Sequence, residues 1–352
     1  MAGRRGVGTL PAVRIAVIGA GSFGTVLARL LAEAGHTVGL WSRSEEHARS
    51  MRDLRENARY LPGISLPTNP HSGGGSVVPG SDFAEVLDRA ALVVAVVPSH
   101  GMREVMTAAA PHLPPGALVV SASKGIEEGT LMTMSEIFAE VLPQPLRGRT
   151  AFLSGPSFAK EVALGLPTAV SVASADAAVA REAQGIFSTE RFRVYTTDDV
   201  VGVELGGALK NVMAIAAGCA DGLGFGHNTR AAIITRGLAE IARLAVRRGA
   251  NPMTLAGLSG NGDLVLTCTG DLSRNRQVGI ELGRGRTIEE ILAGMKMVAE
   301  GVRTTRSARA LAERLGVEMP ITEQVHGLLY EGRPVREAVG ALMGRAPRTE
   351  QG

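Results

Sequence analysis

Residues 13 to 35, VRIAVIGAGSFGTVLARLLAEAG, constrain the fold more than any other stretch, because they join a buried strand to a helix through a glycine-rich turn. Residues 13 to 18 are largely apolar and partly β-branched, as a parallel strand covered on both faces should be. Gly19, Gly21 and Gly24 then give G-x-G-x-x-G. Gly19 permits a tight turn, Gly21 lets the backbone approach a pyrophosphate, and Gly24 lets the helix lie close on the strand. From Ser22 the chain reads as helical, with unpaired N–H groups and the positive dipole end facing the phosphates. A second strand is predicted at 37 to 41, so the context favours a dinucleotide site over an ordinary βα turn.

A chain of 352 residues that is 45% hydrophobic has room for two or three domains with sizeable cores. Its longest apolar run, Ala90 to Pro98, is shorter than the ~18 residues that cross a bilayer, so no membrane span is expected. Residues 1 to 12, with two arginines and no apolar core of signal-peptide length, read as a disordered leader, and residues 344 to 352 as a disordered tail. Two cysteines, Cys219 and Cys268, make no disulfide framework, which points to a reducing cytoplasm. The net charge of +3 is not gathered into a run, so a nucleic-acid partner is not expected and small anionic ligands are. The seven histidines are scattered, and no metal-ligand spacing occurs.

Of 37 basic residues only four are lysine: Lys124, Lys160, Lys210 and Lys296. Where arginine is the default cation, a retained lysine offers a compact ammonium whose pKa can shift and which can give up a proton.

The predicted second strand ends in Trp41-Ser42-Arg43. Arg43 would pair with a ribose 2′-phosphate, while Glu45 and Glu46 keep a free 2′-hydroxyl open, so the cofactor is NADP or NAD. Residues 44 to 60 read as a helix and 61 to 80 as a loop-rich excursion. Ser81 or Asp82 can cap a helix reaching Arg89, and ALVVAVVPSHG follows as strand and turn, with Ser99 opening the next helix at the carboxyl edge of the sheet. The strand beginning at Ala117 ends in Lys124-Gly125 at that same edge, which aims Lys124 at the cofactor crevice. Further strands are expected at 151–153, 168–172 and 193–196, with helices at 156–164 and 176–187. The turn from Ser154 to Ala159 faces the edge as well.

From Thr197 helices replace the alternation, which sets domains at 13–197 and 198–343. Asp198 is expected to cap a helix reaching about Gly218. Within it the adjacent Gly206 and Gly207 cost about 1 kcal/mol each against alanine, so a close approach there is expected, with Lys210 and Asn211 pointing inward. A loop at 221–227 and a core helix at 229–249 follow. Residues 260–267 read as a turn with one carboxylate, Asp263, and Ser273-Arg274-Asn275-Arg276 as the start of a helix. An Arg-Asn pair at a helix N-terminus is a natural phosphate clamp. The last helices are expected at 287–293, 301–315, 322–330 and 334–343.

The segments GAGSFGT (19–25), VVPSH (96–100), SKG (123–125), GPSFAKEV (155–162), ELGGALKNVMAIAAG (204–218), and GDLVLTC with SRNR (262–276) together resemble glycerol-3-phosphate dehydrogenases of the bacterial NAD(P)-dependent type. The resemblance implies an α/β, Rossmann-like doubly wound sheet domain followed by an all-helical substrate domain. It also implies reversible reduction of dihydroxyacetone phosphate to sn-glycerol 3-phosphate for glycerophospholipid synthesis, and leaves a homodimer open. It assigns Ser22, Phe23, Arg43, Tyr60, Lys124, Ala159, Arg274, Val298 and Glu300 to the dinucleotide. To the substrate it assigns Lys124, Gly155, Ser157, Lys210, Asp263, Ser273, Arg274 and Asn275, with Lys210 as the acid/base and Thr267 and Asn211 as second contacts.

Without the family, the chemistry asks for a proton donor that is partly desolvated and near another cation. Lys210 and Lys124 make such a pair, and spacing alone does not say which donates. Another two-domain hydroxy-acid or alcohol dehydrogenase, or a dinucleotide sensor without turnover, answers to the same sheet domain.

Overall fold

A computed structural model of the protein describes residues 12–68, 75–295 and 299–344. Eight strands form one sheet: β1 (Arg14–Ile18), β2 (Thr37–Trp41), β3 (Ser76–Gly80), β4 (Leu92–Ala95), β5 (Leu118–Ser121), β6 (Thr150–Ser154), β7 (Thr168–Ala173) and β8 (Phe192–Thr197). Their order is β3-β2-β1-β4-β5-β6-β7-β8, parallel throughout except between β6 and β7. The order reverses between β1 and β4, where Ile18 pairs with Ala95 on one side and Trp41 on the other. Ligands of open α/β sheets bind at such a switch point, beyond the carboxyl ends of the strands.

Alternation along each strand feeds two cores. Ile15 and Val17 join one buried cluster with Leu27, Leu31 and Val94, while Ala16 and Ile18 join the other with Val93, Met102 and Phe138. The sheet is thus covered on both faces, which is why its central strands are apolar at nearly every position.

Among the elements hidden in the sequence are a strand and a helix of the sheet domain. The excursion at 61–80 contains β3, an edge strand parallel to β2 with Val38 opposite Val77 and Leu40 opposite Pro79. An edge position tolerates Pro79, which removes a donor a central strand would need. The helix Met134–Val141 starts at a capping box of Thr133 and Glu136. The helix expected at 44–60 stops at Leu54, where Arg55 takes a left-handed conformation with φ +52°.

Beyond β8 the described elements are all helical. The first helix is capped by Asp199 rather than Asp198 and runs Val200–Gly222, longer than expected, with the Asp199 carboxylate accepting from Gly202 N at 2.9 Å. It crosses Arg274–Gly283 backbone to backbone: a Cβ on Gly218 would overlap Arg276 O, and one on Gly279 would overlap Ile215 O. The same holds one turn on for Gly222 and Gly283, so small residues at a spacing of four on both helices set the contact. By length and composition Val200–Gly222 is the one described helix able to cross a membrane, yet 78% of its apolar window is buried inside the protein, where it serves as the core of the helical domain. Its Glu204 accepts from Ser135 N at 2.7 Å, tying the helical domain to the sheet domain. The expected leader and tail fall almost wholly outside the described residues.

Candidate active site

The turns after β1, β4, β5 and β6 converge at the carboxyl edge. Gly19 has φ +118°, and a Cβ on it would press into Val96 O in the turn after β4. Gly24 lies so close to the first turn that a Cβ would overlap Gly19 O. Packing thus accounts for both glycines. Gly21 differs: a Cβ there would meet no protein atom within 4 Å, and the helix Ser22–Glu33 that it opens has no side-chain cap. Bare backbone before uncapped N–H groups fits a pyrophosphate lying over the turn, so the residues present suit a dinucleotide.

Around that turn Ser22 Oγ donates to Tyr60 O at 2.7 Å, and Phe23 is partly buried against the sheet core. The Tyr60 ring lies beneath the Arg59 guanidinium at 5.1 Å and edge-on to His47, which bonds Ser42 at 3.0 Å. Arg43 follows Ser42 and is exposed. Its charge reaches His100 in the turn after β4, contributing with burial and Arg303 to lowering the imidazole pKa.

Three segments far apart in sequence meet at Asp263. Lys124, after β5, donates to Asp263 Oδ2 at 2.7 Å and to Gly155 O at 3.3 Å. Lys210, on the helix Val200–Gly222, donates to Asp263 Oδ1 at 2.5 Å and to Thr267 Oγ1 at 2.9 Å. Thr267 Oγ1 donates in turn to Asp263 O, and Ser157 Oγ to Gly155 O. Asp263 is the first residue of the helix Asp263–Thr269, not part of a turn. The two adjacent glycines explain the approach: a Cβ on Gly206 would lie 2.7 Å from Ser259 O, and one on Gly207 2.6 Å from Ser154 Oγ and 3.5 Å from the Lys124 stem.

Burial pushes the Lys210 ammonium down to about 8, with Lys124 adding to the shift and Asp263 opposing it. Burial alone would raise the Asp263 carboxyl, but the two lysines outweigh it and hold it below the usual carboxylate range. The cluster therefore carries two cations on one anion.

A second group gathers where the helix carrying Lys210 meets two others. Ser273 caps the helix Arg274–Gly283, its Oγ accepting from Arg276 N at 3.2 Å. Asn275 donates to Asn211 Oδ1 and accepts from Gly301 N, both at 2.9 Å, so its amide joins three helices. Arg274 reaches solvent within the crevice, whose crowding lowers its pKa against the opposing charge of Glu300. Ala159 opens the short helix Ala159–Ala163 against the sheet core. Val298 and Lys296 lie outside the described residues, and Lys160 is exposed.

Ser99 and Ser154 were both expected at the carboxyl edge, but what each meets there was not. Ser99 Oγ donates to Glu300 Oε2 at 3.0 Å across a separation of 201 residues, which no local pattern reveals. Ser154 Oγ is buried beside Gly207 with no hydrogen-bond partner. An apolar groove of about 1110 Å³ between the helices His227–Arg247, Pro320–Tyr330 and Val335–Met343 shares no residue with either group.

Two family models match the chain. NAD-dependent glycerol-3-phosphate dehydrogenase N-terminus covers residues 14–180, and NAD-dependent glycerol-3-phosphate dehydrogenase C-terminus covers residues 199–340. The chain belongs to the NAD-dependent glycerol-3-phosphate dehydrogenase family. It is 58% identical to a glycerol-3-phosphate dehydrogenase [NAD(P)+] of Geobacter sp. (strain M21) over 96% of this chain and 99% of that one. A relative of the same description from Citrifermentans bemidjiense is also 58% identical over the same shares. The solved glycerol-3-phosphate dehydrogenase of Coxiella burnetii superposes with a TM-score of 0.88 at 40% identity, covering 95% of this chain and 99% of that one. The fold is that of this dehydrogenase family, a Rossmann-like sheet domain followed by a helical domain.

Proposed function

We propose that the protein is an NAD(P)-dependent sn-glycerol-3-phosphate dehydrogenase that reduces dihydroxyacetone phosphate reversibly, supplying glycerophospholipid synthesis. The observation that carries the reading is the placement of two lysines on opposite oxygens of one buried carboxylate at the sheet's carboxyl edge. The dinucleotide, when bound over Gly19 to Gly24, supplies hydride to the ketone carbon. Lys210 gives its proton to the C2 oxygen as negative charge develops there, and takes it back in the oxidation direction. Its pKa of about 8 suits a donor working near neutral pH. Asp263 holds both ammonium groups in place, and Lys124 orients the ketone oxygen and stabilises its charge. Lys210 is the donor in this reading because burial lowers its pKa into the working range and it is 7% exposed, while the Lys124 side chain is 17% exposed. Arg274, Ser273 and Asn275 at a helix N-terminus hold the phosphate, with Gly155 and Ser157 on the opposite wall.

The domains meet between Thr197 and Asp198, just before the Asp199 cap. Ser22, Phe23, Arg43, Tyr60, Lys124, Ala159, Arg274, Val298 and Glu300 contact the dinucleotide in this reading. A cytoplasmic homodimer completes it: Cys219 and Cys268 are free and buried, in keeping with a reducing compartment, and light scattering reports the assembly. The test of the activity is oxidation of NADPH or NADH dependent on dihydroxyacetone phosphate. Turnover only with other carbonyls, or dinucleotide binding without turnover, would refute it.

A further inference from the structure

Three segments of the crevice lock together at a residue the chemistry above does not use. Ser99, in the turn after β4, is 4% exposed and donates from Oγ to Glu300 Oε2 at 3.0 Å. The Ser99 backbone N–H stabilises the same carboxylate. Ser99 also packs against Gly125, which has φ +154°: a Cβ on Gly125 would overlap the Ser99 hydroxyl and lie 3.8 Å from Glu300 Oε2. Gly125 directly follows Lys124, and Glu300 is the first residue of the helix Glu300–Leu315 and faces Arg274. The serine therefore sits between the lysine turn of the sheet domain and an acidic helix start of the other domain. A partly buried carboxylate at such a junction needs fixed donors, because a bond to a charged group is worth more than a neutral one and its loss leaves the charge poorly solvated.

We infer that Ser99 is a positioning residue: it seats the Glu300 carboxylate at the dinucleotide crevice opposite Arg274, and Gly125 is glycine so that Ser99 can reach it. The inference rests on the dinucleotide reading above for the role of Glu300. Ser99 touches neither reacting atom. Its removal therefore weakens dinucleotide binding and leaves the chemical step in place.

The experiment measures NADPH Kd by calorimetry, together with KM for both substrates, kcat and melting temperature, in Ser99→Ala, Glu300→Ala and the double variant. Ser99→Ala is expected to weaken NADPH about ten-fold, the scale of one charge-assisted hydrogen bond. The kcat at saturation should stay within about two-fold, as for an interaction outside the chemical step. The double variant should be no weaker than Glu300→Ala alone, since the serine acts through the carboxylate. An unchanged Kd in Ser99→Ala, or a loss that adds in full to that of Glu300→Ala, overturns the inference. So does an equal fall in kcat and in the affinity for both substrates with a lowered melting temperature, which marks general damage. If the alanine variant does not fold, Ser99→Cys keeps the volume and a weak donor, and must show a smaller rise in Kd in the same direction. Because Kd is read without turnover, an inactive protein whose NADPH binding depends on Ser99 refutes the dehydrogenase reading alone.

Discussion

Lys210 lies 2.5 Å from Asp263, a lysine 7% exposed against a carboxylate 1% exposed. Such a pair alone would be neutral, but Lys124 takes the other oxygen of Asp263, which leaves the cluster with an excess of one positive charge. A buried excess charge is costly unless something anionic completes it. A phosphorylated ketone that becomes an alkoxide in the transition state does so most fully at the moment of reaction, which is the condition for catalysis rather than mere binding.

The pH dependence follows from that charge. In the proposed role Lys210 must be protonated to donate, and its pKa stands at about 8, so kcat for reduction should fall as pH rises through that value, while kcat for oxidation should rise. Lys124 contributes repulsion that lowers the Lys210 pKa. Lys124→Ala should therefore move the limb to higher pH as well as slow the reaction. Profiles in both directions for the two proteins check this, and a limb that stays put in Lys124→Ala would uncouple the lysines.

Cofactor choice should depend on Arg43, exposed at the end of β2. Arg43→Asp is expected to weaken NADPH about ten-fold or more, the scale of a lost charge-assisted contact, and NADH far less. Equal losses for the two cofactors would show that Arg43 does not face the 2′ position.

Arg274→Ala should raise KM for dihydroxyacetone phosphate by about ten-fold or more while leaving that for dihydroxyacetone within about two-fold, since only the first has a phosphate to lose a charged donor. Comparable changes for both substrates would remove the phosphate role.

How legible the site was depends on whether a residue announces its own context. Gly206 and Gly207 did, because two glycines inside a helix are costly, and the structure shows Ser259 and Ser154 pressed against them just before Lys210. Lys124 did, as a rare lysine after an apolar strand. The nearness of Lys210 and Lys124 was expected from the chemistry, but not that Asp263 would hold both on its two oxygens, since that depends on how two domains pack. β3 was hidden by Pro79 and the glycines beside it, which read locally as loop although pairing with β2 makes a strand. Asp199 displaced Asp198 as the helix cap because its carboxylate also accepts from Asn251 N at 2.9 Å, a contact supplied by the folded chain.

Stability should also carry a pH signature from Glu240. Burial raises its carboxyl to about 7, against the donors Ile321 N and Thr322 N at the start of the helix Pro320–Tyr330. Because the folded pKa exceeds the unfolded one, the folded state holds the extra proton, and this contribution is present at low pH and lost as pH rises through about 7. Glu240→Gln removes the titration. The stability of the natural protein relative to this variant should be greater at pH ~5 than at pH ~8, by on the order of 1 kcal/mol. Thermal melts at the two pH values check the sign, and an advantage that grows with pH would contradict it.

Turnover of Lys210→Arg in both directions distinguishes a lysine that moves a proton, as proposed, from one that only supplies charge. Guanidinium keeps the charge but is effectively always protonated, so it cannot return as the base. The expected result is a kcat reduced by roughly 10²- to 10⁴-fold in both directions, close to that of Lys210→Ala, with dinucleotide affinity little changed. An arginine variant that kept most of the natural kcat in both directions would contradict the account, make Lys210 an electrostatic anchor, and leave Lys124 as the proton donor.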